Sequence, residues 1–78
     1  MNQYIEKAAA ELRTKTLHDI QVETAKTWAG RACVAAHIGL LHDAVEYAHE
    51  AIEHAALSGD DKLLVEVRSA MRAYGVEV

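Results

Sequence analysis

Proline is absent from this chain, and glycine occurs only at Gly30, Gly39, Gly59 and Gly75. Alanine, the strongest helix former, supplies 15 of the 78 residues. So many helix formers with so few breakers predict an all-helical protein, with the later glycines as helix stops. At 8.6 kDa the chain has the size of one small domain, near the limit where a single core is marginal. The lone Cys33 excludes an internal disulfide framework and a cysteine-based zinc site.

Charge and hydropathy narrow the function classes. Lys plus Arg is 8 and Asp plus Glu is 12, a formal charge of −4, which argues against a nucleic-acid partner. No apolar run approaches the ~20 residues of a membrane span, and no basic-then-apolar leader is read. An unpaired cysteine then fits a reducing cytoplasm. Hydrophobic types at 51% and charged types at 26% suit a folded chain rather than a disordered one.

The periodicity predicts four helices, at about 2–15, 17–38, 41–57 and 60–74, within one domain over 1–78. Asn2 is a good N-cap, and Tyr4, Ile5, Ala8, Ala9 and Leu12 recur at the 3.6-residue period. Thr16 followed by Asp19 reads as a variant capping box opening the second helix. Its apolar stripe is Val22, Ala25, Trp28, Ala29, Ala32, Ala35 and Ala36, and Gly30 within it suggests close backbone packing. Gly39 closes that helix. The third carries Ala44, Val45, Ala48, Ala51, Ile52 and Ala55 on one face. Asp60 caps the fourth, with Leu63, Leu64, Val67, Ala70, Met71 and Tyr74 along a face that ends at Gly75.

Gly39 and Gly75 stand 36 residues apart, and at that offset Trp28 aligns with Leu64 and Ala35 with Met71. Trp28, Ala32 and Gly39, then Ala44, Ala48 and Ala51, resemble the aromatic, small-residue and turn positions of a tetratricopeptide-like helical hairpin over about 25–75. Arg31 and Ala35 stand where that family usually has a leucine and an aromatic. The resemblance implies a surface that binds peptides or helices, not a catalyst. A regular stack needs about three repeats to bury its own core, and this chain has about one and a half. It is therefore expected to expose an apolar face that a second copy or another protein covers. A plain four-helix bundle is the other architecture the pattern allows.

Polar chemistry is densest on the third helix. His42, Glu46, His49 and Glu53 have the i,i+3 and i,i+4 spacings that can chelate a metal on a helix face. The plainer reading is a solvated face with weak intrahelical pairs. Asp43, Glu46, Glu50 and Glu53, with no Lys or Arg on that helix, could dock a basic partner. Cys33 and His37 lie one turn apart, but without an orienting acid they read as a packed thiol and its neighbour rather than a catalytic pair. Trp28 reads as a core filler opposite small residues.

The resulting expectation is a non-enzymatic, cofactor-free interaction protein, a homodimer or a protein-docking module. Val22, Ala25, Trp28, Leu63, Leu64, Val67 and Met71 are its expected core or interface. The alternatives are a metal-binding helical oligomer using the His/Glu face, or an acidic inhibitor or immunity-type protein.

Overall fold

The computed structural model describes Asn2–Val78 and is helical throughout: α1 (Gln3–His37), α2 (Leu41–Ser58) and α3 (Asp61–Ala73). There are three helices, not the four expected, because the segments read as 2–15 and 17–38 are one helix of 35 residues. Neither proline nor glycine separates them, and Thr16 does not cap. Its hydroxyl donates backward to the Leu12 carbonyl at 2.9 Å, and that of Thr14 donates to Ala10 at 3.0 Å. Such i−4 bonds are the alternative use of a helical threonine and leave the ladder unbroken.

The remaining stops fall where the glycines put them. Gly39, Gly59 and Gly75 have φ of 87°, 73° and 76°, the left-handed region that other residues enter only at a cost. After α1, the Gly39 and Leu40 amides donate to the carbonyls of Ala36 and Ala35, at 3.2 and 2.8 Å. After α3, Gly75 and Val76 do the same to Arg72 and Met71, at 3.0 and 2.8 Å. Both are Schellman closures, so the 36-residue echo corresponds to one repeated helix-ending device. The caps at Asn2 and Asp60 also form, their carboxamide and carboxylate oxygens accepting from Tyr4 N at 2.9 Å and Leu63 N at 3.1 Å.

α2 runs antiparallel to the C-terminal half of α1. The register is fixed by His18 against Ser58, Gln21 against His54 and Trp28 against Tyr47. The seam is an alanine spine, with Ala25, Ala32 and Ala35 facing Ala44, Ala48, Ala51 and Ala55, all buried. The four-three-four spacing on α2 keeps every alanine on the seam, and methyl side chains let the backbones approach closely. α3 lies across the hairpin and adds Leu63, Val67 and Met71. Val76 folds back to complete this core.

The molecule is far from spherical. Its radius of gyration is 15.8 Å, against about 11.5 Å for a compact chain of this length. The cause is the N-terminal part of α1, where every residue from Asn2 to Ile20 is exposed.

Candidate functional site

The expected core and interface residues lie inside the fold. Ala25, Leu63, Val67 and Met71 are buried, and Val22, Trp28 and Leu64 are half-buried against them. The apolar face of α3 is thus covered by its own hairpin. Beside single exposed residues such as Leu57 and Val65, apolar surface is left uncovered at two places along α1.

The first is the projecting arm. Tyr4, Ile5 and Leu12 are 84%, 67% and 65% exposed. At about 100° per residue, the stripe formed by Ile5, Ala8, Ala9 and Leu12 lies roughly half a turn from the alanine spine of the same helix. The change of side between the two halves produces the reading of two separate helices.

The second is a groove on the side of the α1–α2 hairpin away from α3. A cleft of about 600 Å³ is lined by Gly30, Val34, Ile38, Leu40, Asp43 and Tyr47, among others. A second cleft of about 520 Å³, bordered by Trp28, Glu46, His49 and Glu50, shares Tyr47 with it. Val34 and Ile38 are 62% and 61% exposed. Trp28 packs against the core and also borders the second cleft. Its ring packs on Tyr47 with centroids 5.5 Å apart, and the Arg31 guanidinium lies 4.9 Å above it. Gly30 has no heavy atom within 4 Å of where a Cβ would sit, so no close packing within the chain requires it.

The acidic residues form one rim. Glu46, Glu50 and Glu53 are exposed, and Asp43 turns partly into the cleft. Of the metal-ligating candidates, His42 and Glu46 approach to 3.2 Å, on a fully solvated turn. Among the described residues no three such side chains converge, so His49 and Glu53 do not complete a site with them. His54 donates through Nδ1 to Gln21 Oε1 at 2.6 Å, with Nε2 3.8 Å from Glu50, a bridge between helices.

Cys33 is half-buried and joined to His37 by no hydrogen bond, although both border a small cleft beside Val34 and Tyr74. Burial raises its thiol above the ordinary range, the opposite of nucleophile activation. Among the described residues no helix is long and apolar enough to cross a membrane.

Sequence reasoning placed the arm stripe and the acidic rim but missed the groove. Val34 and Ile38 lie off the alanine stripe, and only the four-residue steps from Gly30 to Val34 and from Val34 to Ile38 link the groove's residues on α1. Compared with protein-family models, with curated proteins and with solved structures, the chain matches none.

Proposed function

We infer that this chain is a non-enzymatic protein-interaction module of the cytoplasm, holding a helical surface of its partner against the exposed face of α1. The observation that carries this reading is the arm. Fifteen or so residues of helix stand clear of the fold with their large apolar side chains in water. A helix of ~12–15 residues is marginal in water without tertiary packing. Single exposed apolar residues need no explanation, but a stripe on an unsupported helix does. The antiparallel α1–α2 pairing supports the tetratricopeptide-like reading of 25–75, a family that works by binding. Protein partners, with self-association foremost, suit a surface of this kind better than the acidic-inhibitor or metal alternatives, whose residues lie on one solvated rim.

The test combines solution mass with amide exchange of residues 4–17. Mass that rises with concentration, with protection of the arm rising alongside it, supports the reading. A chain that stays monomeric while its arm is helical and protected would sink it, because the stripe would then need no cover.

A further inference from the structure

The exposed side of α1 carries a pattern with a two-fold character. Apolar residues occupy its N-terminal end (Tyr4, Ala8, Leu12) and its C-terminal end (Gly30, Val34, Ile38). Between them, facing the same way, stand Lys15, Asp19, Glu23 and Lys26, two charges of each sign. All lie within roughly a third of the helix circumference on either side of one line, on the face turned away from the alanine spine. Reversing the helix end for end about Gln21 exchanges the two apolar ends, while in the belt Lys15 and Lys26 fall opposite Thr27 and Thr16 and Asp19 falls opposite Glu23. Under that operation Leu12 meets Gly30, Ala8 meets Val34, and Tyr4 meets Ile38. A large side chain is matched to a bare backbone position or a small one in the first two pairs.

We propose that two copies of this chain dimerise through α1, antiparallel, with the arm of each lying in the groove of the other. This rests on the interaction reading above and names its partner as a second copy. Three observations choose that occupant. The first is fit. The groove runs from Gly30 to Ile38, a rise of about 12 Å, and the arm from Gln3 to Leu17 extends about 22 Å, long enough to fill it. Gly30, unoccupied within the chain, is the hole for Leu12. The second is charge. The arm carries Lys7, Arg13 and Lys15 against Glu6 and Glu11, while the clefts are bordered by Asp43, Glu46 and Glu50 against Arg31, so the two surfaces differ in net sign. The third is area. Tyr4, Ile5, Leu12, Val34, Ile38 and Leu40 are each at least half exposed, and at roughly 100 Å² apiece two copies would bury about 1,200 Å². That reaches the lower bound for a stable interface, and an isologous two-fold contact uses every patch twice and closes.

The experiment uses the full chain. Sedimentation equilibrium is expected to give twice the 8.6 kDa chain mass. Gly30→Glu is expected to weaken association by about tenfold or more, since it fills the hole with a charge. This change leaves the fold intact because nothing in the chain approaches the site and glutamate is the better helix former. Ala56→Glu, an exposed position on α2, is the control and should leave the mass unchanged. In a Cys33→Ser background, a mixture of Leu12→Cys and Gly30→Cys proteins should form the mixed disulfide on mild oxidation. A dimer unaffected by Gly30→Glu, or cross-linked instead as Leu12→Cys with itself, overturns the antiparallel arm-in-groove arrangement while the interaction reading stands. A monomer at every concentration overturns the dimer outright. If its arm is also protected from exchange, the interaction reading falls with it. An arm that exchanges freely passes that reading to a different protein partner.

Discussion

The His18 imidazole donates through Nδ1 to the Ser58 carbonyl at 2.8 Å, joining the middle of α1 to the last turn of α2. A carbonyl only accepts, so the Nδ1 atom carries the proton. Ser58 is among the four terminal residues whose carbonyls lack a helical partner, and α2 has no basic residue in its own last turn. The neighbouring helix therefore supplies the missing donor. Among the described residues no hydrogen bond joins α1 to another helix N-terminal to this one, and beyond it the arm begins. His18→Ala is expected to lower stability by about 1 kcal/mol, the usual net value of one such bond. Urea unfolding followed by circular dichroism measures it, and an unchanged midpoint would remove His18 as the pin.

The alanine spine makes the α1–α2 seam intolerant of larger side chains. Ala48 and Ala51 have no exposed surface and face another helix across a methyl-sized gap. Ala48→Leu is expected to destabilise by about 1–3 kcal/mol through overpacking, although leucine is nearly as good a helix former. The same substitution at exposed Ala56 should be close to neutral. Equal thermal midpoints for the two variants would contradict the seam.

Met71 is the largest fully buried side chain, where α3 closes over the hairpin. Removing its thioether leaves a cavity that alanine neighbours cannot fill, so Met71→Ala should cost about 2–5 kcal/mol. In a domain this small that loss is a large part of the total stability. A thermal midpoint within a degree or two of the parent would show the site to be loosely packed.

Gly59 turns α2 into α3 at φ 73°, followed directly by the Asp60 cap. A Cβ there meets no atom, so the penalty of Gly59→Ala is conformational alone, about 1–2 kcal/mol. Gly59→Asn should cost less, because asparagine tolerates the left-handed region. Equal stability of both variants would refute the conformational origin.

Burial raises the Cys33 thiol, so less thiolate is present near neutral pH than in an unfolded chain. Alkylation by iodoacetamide should be slower in the folded protein and should accelerate only at more alkaline pH than for a free thiol. The linkage has a definite sign. The folded group holds its proton more tightly, so its contribution to stability is full below the unfolded thiol pKa and is lost as pH rises through the folded one. Alkylation as fast as in denaturant at neutral pH would contradict this placement.

Much of the fold was legible in the sequence because it is set locally. The caps at Asn2 and Asp60 and the stops at Gly39, Gly59 and Gly75 each follow from the chemistry of one residue and its neighbours. The stripe alanines Ala25, Ala32, Ala35, Ala44, Ala48, Ala51 and Ala55 are buried, whereas Ala8 and Ala9 of the first stripe are exposed. The break expected near Thr16 was not there, and the reason is specific. A threonine hydroxyl serves equally as a cap for the next helix or as a donor to the previous turn, and the apolar stripe changes sides at that point. A change of side mimics a helix end when only periodicity is read. The packing of Val76 back on the domain, with Tyr74 and Val78 left exposed, is decided by the tertiary fold.

The sequence alone determined that the chain is helical, that helices stop at Gly39, Gly59 and Gly75, and which faces are acidic, because these depend on interactions within one or two turns. The tertiary structure decided which apolar stripe is used up. Pairing α1 with α2 along the alanine spine buries one side of α1 and no more, since α2 has 18 residues and α1 has 35. The stripe on the opposite side and the groove beside Trp28 and Tyr47 remain in water. That inventory exists only once the helices are laid side by side, because burial belongs to the pair and not to either segment.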